Sequence, residues 1–210
     1  MNIKTLEVAG IGPAIHAMRN PMDSWTKSDT VHGHVGKLDK ELSFKLANAG
    51  PEHCKHLRMV MVWAEISAPR YWWQEFDTYR AGVEKLSCST MHRLMARPLE
   101  SDDFEHDRYP NINLFDNIVA INGYMEQYKN CEDPVMKKNI WRGIIQMLPQ
   151  SYIQRRTVMM SYAAIRNIYR QREGHKLVEW ETFRKWVDTL PESWMITDYF
   201  VTPDKGSDED

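Results

Sequence analysis

Residues 57–90 read LRMVMVWAEISAPRYWWQEFDTYRAGVEKLSCST. In the first ten, Leu57, Met59, Met61 and Trp63 alternate with Val60, Val62, Ala64 and Ile66. Apolar side chains on both faces are the pattern of a strand inside a sheet rather than at its edge. Pro69 has a backbone suited to a helix start, and Trp72, Phe76 and Tyr79 follow at helical spacing. A helix over Pro69 to Arg80 is predicted to leave the strand, with Gln74, Asp77 and Arg80 on its other side.

Outward from this stretch, Ile3 to Val8 alternates as a short strand that Gly10 to Pro13 breaks, and a short helix follows over Ala14 to Arg19. Asn20 to Gly36 is polar and rich in turn formers, so a surface loop is expected. Asp39 to Ala49 carries Leu42, Phe44, Leu46 and Ala47 and stops at Gly50 and Pro51, as a helix does. Downstream, Leu114, Ile118, Ile121, Met125 and Tyr128 mark a long amphipathic helix, and Val135 to Met147 another, closed by Pro149. From Tyr152 to Arg172 the stripe Val158, Tyr162, Ile165 and Tyr169 predicts one helix, with Arg155, Arg156, Arg166, Arg170 and Arg172 around it. A last helix is expected over Lys176 to Thr189. The sum is an α+β chain, a short, mostly antiparallel sheet packed with several long helices, in a single domain over 1–202. The acidic end PDKGSDED, 203–210, reads as a disordered tail.

Composition narrows the function. With 42% hydrophobic residues, 8 Trp and 13 Met, the chain can fill a sizeable core. No apolar run nears the roughly 20 residues that span a bilayer, and Met1 to Gly10 lacks the apolar stretch of a secretory signal, so a cytoplasmic protein is expected. A formal net charge of -2 gives no direct nucleic-acid signal and no attraction to acidic membranes, so an anionic ligand has to meet a local basic cluster. Cys54, Cys88 and Cys131 have no paired spacing, which points to reduced thiols.

Three stretches together resemble the flavin-dependent thymidylate synthases. DKELSFKLANAG followed by PEHCKH, within 37–56, is similar to that family's helix ending in A-G or H-G with E-H shortly after. The strand and APRYWWQEFDTYRAGVEKLSCST resemble its strand, its Gln-bearing helix and its signature R-H-R-x-x-S-x-N-E-x-S-x-R-Y. LPQSYIQRRTVMMSYAAIRNIYRQR, from Leu148, is similar to its L-P segment and the helix with two Asn and a late Arg. The match spans about residues 37 to 190. It is partial: R-H-R falls on Asp77, Thr78 and Tyr79, with Arg80 one position later, the signature Glu falls on Lys85, and R-Y falls on Ser89 and Thr90.

The resemblance implies transfer of a one-carbon group, methyl or hydroxymethyl, from methylenetetrahydrofolate to carbon 5 of dUMP or a similar pyrimidine nucleotide, with FAD as electron carrier. It implies a homotetramer that builds its active sites between subunits. Residue by residue, it puts Arg172 on the pyrimidine, where it favours the ionised ring and acts in catalysis, and Gln74 and Ser87 on the nucleotide; the Arg166 fork, Arg80 one position past the signature, and the hydroxyl-rich turn Ser87-Cys88-Ser89 are further nucleotide candidates from their own chemistry. His53, His56, Ser161 and Asn167 fall to the flavin. The exchange of R-H-R for Asp77-Thr78-Tyr79 supports an alternative, a non-catalytic protein on the same scaffold that sequesters or senses a nucleotide.

The same residues have plainer readings. The arginines can solvate a helix face or pair with Glu173 and Glu179, although five in one segment exceed ordinary solubilising needs. Tyr71, Trp72 and Trp73 can stack on a base or flavin, but core and subunit-interface packing is the preferred reading. Ser87 to Thr90 can offer backbone N–H groups to an anion or simply cap the next helix. No His and acid spacing activates Cys88 as a nucleophile, so a structural thiol is preferred. His32, His34, His53 and His56 with Cys54 match no strong metal motif, and no metal is expected.

Overall fold

A computed structural model describes residues 1–31, 33–50, 52–107 and 112–198. His32 and the acidic tail over 203–210 lie outside the described residues. Among the described residues, four strands, β1 (Asn2–Ala9), β2 (Met61–Pro69), β3 (Val83–Ser87) and β4 (Ile153–Ser161), form one sheet in the order β1-β2-β4-β3. The sheet is antiparallel and the fold is α+β. β2 lies between two partners, as its two apolar faces demand. Val62, Ala64, Ile66 and Ala68 on one face are fully buried, and the other face is half-buried.

The helices are α1 (Ile11–Ala17), α2 (Lys37–Asn48), α3 (Arg70–Phe76), α4 (Thr90–Arg93), α5 (Ile112–Asn130), α6 (Pro134–Met147), α7 (Tyr162–Gln171), α8 (Val178–Asp188) and α9 (Trp194–Thr197). The chain divides into two compact units. One comprises Met1–Lys4, Glu65–Thr78 and Lys85–Thr157, the other Thr5–Ala64, Tyr79–Glu84 and Val158–Asp210.

The first unit is built around α5 and α6. Ile118, Ile121 and Met125 of α5 pack with Ile144 of α6 and with Leu94, Leu99 and Phe104. Asp133 starts α6 by accepting from the N–H groups of Val135 and Met136, with Pro134 in the first turn. Trp72, Trp73 and Phe76 of α3 are buried together, with ring centroids 4.9 Å and 5.4 Å apart.

In the second unit, α7 packs against α8, α9 and the 3-10 turn over Lys55–Arg58. Tyr162, Ile165 and Tyr169 form its buried stripe, as their spacing requires. The sequence reading of one helix from Tyr152 to Arg172 is corrected: residues 153–161 are a strand and only 162–171 are helical. Thr157 and Val158 are β-branched, and Ser161 accepts the N–H of Ala164 at 3.1 Å, which marks where the helix begins. Arg155 and Arg156 therefore belong to β4 rather than to the arginine-bearing helix.

Gly10 enters α1 at φ 93, and a Cβ there would stand 2.3 Å from the Met59 carbonyl oxygen. Gly10→Ala is expected to cost about 2 kcal/mol or more, from the left-handed backbone and the clash together. Urea unfolding monitored by circular dichroism checks this; an unchanged midpoint would contradict it.

Candidate functional site

Arg172 closes the C-terminus of α7, its N–H donating to the Ile168 carbonyl. Its guanidinium lies over the Trp180 ring, 4.4 Å from the centroid, and 5.4 Å from that of Tyr79. Nε donates to the Tyr79 hydroxyl at 2.9 Å, and Nη1 lies 3.1 Å from His175 Nε2. Two aromatic faces and a hydroxyl fix the plane of the fork, which a flexible lysine would not match. Arg172 lines a pocket of about 390 Å³ with Tyr169, Gly174, His175, Arg184 and Asp188. In the wall, Arg184 covers the Tyr169 ring at 4.4 Å, and the Tyr169 hydroxyl donates to Asp188 at 3.2 Å.

A different face of α7 lines a second pocket, of about 450 Å³. Ala163, Arg166, Asn167 and Arg170 recur at the spacing that forms one helical stripe, and they face Asn48, Gly50, Cys54, Leu57 and Arg58. Arg166 is 9% exposed. Its Nη1 reaches the Cys54 sulfur at 3.8 Å, while its buried Nε has no hydrogen-bond partner among the described residues. The Cys54 sulfur lies 3.3–3.7 Å from the carbonyls of Leu46 and Ala47 in the last turn of α2 and of Gly50 just beyond it, so its single S–H caps this end locally. Asn167 is exposed and accepts from Gln171 at 3.1 Å.

His53 is exposed in a turn. His56 is buried against Ser43, its Nε2 2.8 Å from the hydroxyl. Burial, and after it the charge of Arg166, push its pKa down to about 4. Ser161 is buried as the cap of α7, and its N–H donates to the Gly82 carbonyl. Arg80 is exposed in the turn before β3.

In the first unit, Gln74 lines a third pocket, of about 310 Å³, with Arg70, Trp73, Asp77, Gln154 and Arg156, and it donates to Gln150 at 3.1 Å. Asp77 bonds Lys85 at 2.7 Å and Arg156 at 2.8 Å, and Arg156 stacks on Trp73 at 4.2 Å. Burial works to raise the Asp77 carboxyl, but the hydrogen bonds and charges of Lys85 and Arg156 hold it below the ordinary carboxylate range. The two signature departures are therefore partners: an acid stands where an arginine falls and a lysine where a glutamate falls, with the signs exchanged. Ser87 and Cys88 are exposed, and the Cys88 N–H donates to the Arg155 carbonyl at 2.9 Å. Ser89 precedes α4, with no side-chain cap bond.

Two structures of ThyX thymidylate synthase from Helicobacter pylori, both with FAD and dUMP, superpose on this chain with a TM-score of 0.74. Each covers 94% of it at 19% identity, through 98% and 99% of the ThyX chain. The fold is ThyX-like. No family model matches the sequence, and no curated protein matches it. Within the ThyX-like fold, sequence reasoning placed Arg172, Arg166 and Asn167 on α7 but missed the surroundings of each. Tyr79, His175 and Trp180 meet Arg172, and Arg58 and Asn48 line one pocket with Arg166. Only the opposite charges of Asp77 and Lys85, each at a signature departure, gave a local signal of their pairing.

Among the described residues, no group of three His, Cys, Asp or Glu side chains is arranged to hold a metal ion, and no helix is long and apolar enough to cross a membrane. Cys54, Cys88 and Cys131 are unpaired thiols.

Proposed function

We propose that this chain is a divergent flavin-dependent thymidylate synthase-like protein that binds a pyrimidine deoxynucleotide and transfers a one-carbon group from methylenetetrahydrofolate to carbon 5 of dUMP. The observation that supports it most is the Arg172 fork, held by Tyr79 and Trp180 in a fold that matches ThyX along 94% of the chain. A fixed guanidinium beside the pyrimidine lowers the cost of ionising its ring N–H, and the ionised ring is richer in electrons at carbon 5. Stacking on Trp180 holds that charge in place before the base arrives, so little reorganisation is needed.

Reduced FAD would supply the electrons that complete reduction of the transferred carbon. The α2–α7 pocket has the donor set for a phosphorylated flavin: the amides of Asn48 and Asn167 suit a ring edge, and its guanidiniums suit phosphate. By the same resemblance, the chain acts as a homotetramer with Gln74 and Ser87 serving the nucleotide, and Arg80, Cys88 and Ser89 join them from their own chemistry; the cytoplasm is its proposed place of action.

A second reading rests on Asp77. The Lys85–Asp77–Arg156 network stands where the signature arginines fall, and it favours a protein that holds a nucleotide without converting it. Incubation of dUMP deuterated at carbon 5 with methylenetetrahydrofolate, FAD and reductant separates the two, because substitution at carbon 5 must release that deuterium. Loss of deuterium with a gain of one carbon, read by mass spectrometry, is expected of the transferase. Bound dUMP that keeps its deuterium supports sequestration, and no dUMP binding removes both readings.

A further inference from the structure

We infer that the α2–α7 pocket is a recognition site for a phosphate-bearing small molecule, with Arg58, Arg166 and Arg170 as its anion ligands and the amides of Asn48 and Asn167 beside them. Three guanidiniums share this pocket of about 450 Å³, and no carboxylate is among its lining residues. Glu52 is exposed beside Gly50 at the rim. Arg166 is the decisive side chain. It is nine-tenths buried and charged, yet its Nη1 meets only the Cys54 sulfur, at 3.8 Å, and its Nε is without a hydrogen-bond partner, among the described residues.

A buried guanidinium carries a large desolvation cost that a thiol sulfur does little to offset. An anion in the pocket that Arg166 lines supplies the guanidinium with a charge partner, reached through its pocket-facing edge rather than through the enclosed Nε. Several oxygens on one compact centre suit several planar forks, which is the geometry of phosphate or diphosphate. The two asparagine amides can donate to further oxygens without adding charge. The chain has Asp77-Thr78-Tyr79 where its resemblance places the R-H-R of the signature, and the α2–α7 pocket concentrates positive charge on other elements instead. Phosphate recognition has moved, in this account, from the signature turn to α7 and the 55–58 turn.

The site is independent of the Arg172 reading, and the test keeps the two apart. Inorganic pyrophosphate is titrated calorimetrically into the intact protein, with citrate as a carboxylate control, FAD and riboflavin as flavins with and without phosphate, and dUMP as the readout of Arg172. Saturable pyrophosphate binding is expected, weakening with added salt. Arg58→Gln and Arg170→Gln, both at exposed positions, should each weaken it about tenfold or more while leaving dUMP binding unchanged. FAD competing with pyrophosphate identifies a flavin nucleotide as the source of the phosphate, and pyrophosphate binding without competition identifies another phosphorylated molecule; both outcomes support the site. Absence of pyrophosphate binding, equal binding of citrate, or variants that bind pyrophosphate like the parent protein would overturn it.

Discussion

Replacing Arg172 by glutamine is expected to weaken dUMP binding about ten- to a hundredfold in a calorimetric titration. Hydrogen bonds from a charged donor contribute about 1.5–3 kcal/mol, and each 1.4 kcal/mol is a factor of ten. Glutamine keeps a planar amide near Trp180 but loses the charge that favours an ionised pyrimidine. Arg172→Lys should recover only part of the loss, since an ammonium cannot lie flat over Trp180 while its edge bonds the Tyr79 hydroxyl. A near-ultraviolet circular dichroism spectrum like that of the parent protein establishes that the variant is folded. A folded Arg172→Gln protein with parental dUMP affinity would remove Arg172 from the site.

Asp39→Asn should lower stability by about 3–5 kcal/mol, the usual cost of deleting one member of a buried ion pair. The Asp39 carboxylate is fully buried and bonds Arg19 Nε at 2.6 Å. It also accepts from the hydroxyls of Ser28 and Thr30 and from the N–H groups of Asp29 and Thr30, so it ties the 20–36 loop to α2. Asp29 completes the tie by accepting the N–H groups of Leu38 and Asp39 at the start of α2.

The pH dependence follows from the same residues. Burial alone would raise the Asp39 carboxyl, but Ser28, Thr30 and Arg19 together hold it below its ordinary value. The stability it contributes is therefore complete above the unfolded carboxylate value of about 4 and is lost as the pH falls through the lower folded one. His56 acts at higher pH. Its folded value of about 4 lies below the unfolded 6.5, so the neutral ring belongs to the folded state. Its contribution is complete above pH 6.5 and declines as the pH falls towards 4. Urea unfolding of the parent protein across this range should show a decline that His56→Gln flattens between pH 6.5 and 4. A parent protein equally stable at both ends would contradict the account.

The strand at the centre of the sheet was legible because both of its faces are apolar, although it starts at Met61 rather than Leu57. His56 and Leu57 are drawn into the 3-10 turn over Lys55–Arg58, where both are buried, and an alternating pattern cannot reveal that turn. Helices α5 and α6 were found within two residues at each end, since long periodic stripes and the closing Pro149 are local signals. The strand β4 was missed because Val158 and Tyr162 also fit a helical stripe, and only pairing with β2 and β3 decides between the two. The aromatic run Trp72-Trp73 proved to be core, as burial of large rings favours.

The candidate site was legible only where it is sequential. Arg166, Asn167 and Arg170 share one turn of α7, so their common face follows from helical geometry. The bond from Arg172 to Tyr79 joins residues 93 apart in the sequence, and the stacking on Trp180 crosses from the end of α7 to α8, so no periodicity of one element encodes either.

The central claim, that Arg172 receives a pyrimidine nucleotide in a ThyX-like fold, is tested most directly by a crystal structure of the protein with dUMP. The account predicts the pyrimidine edge within about 3 Å of the Arg172 guanidinium, with Tyr79 and Trp180 still holding it. A nucleotide seated away from Arg172, or an Arg172 pocket left empty at saturating dUMP, would contradict it.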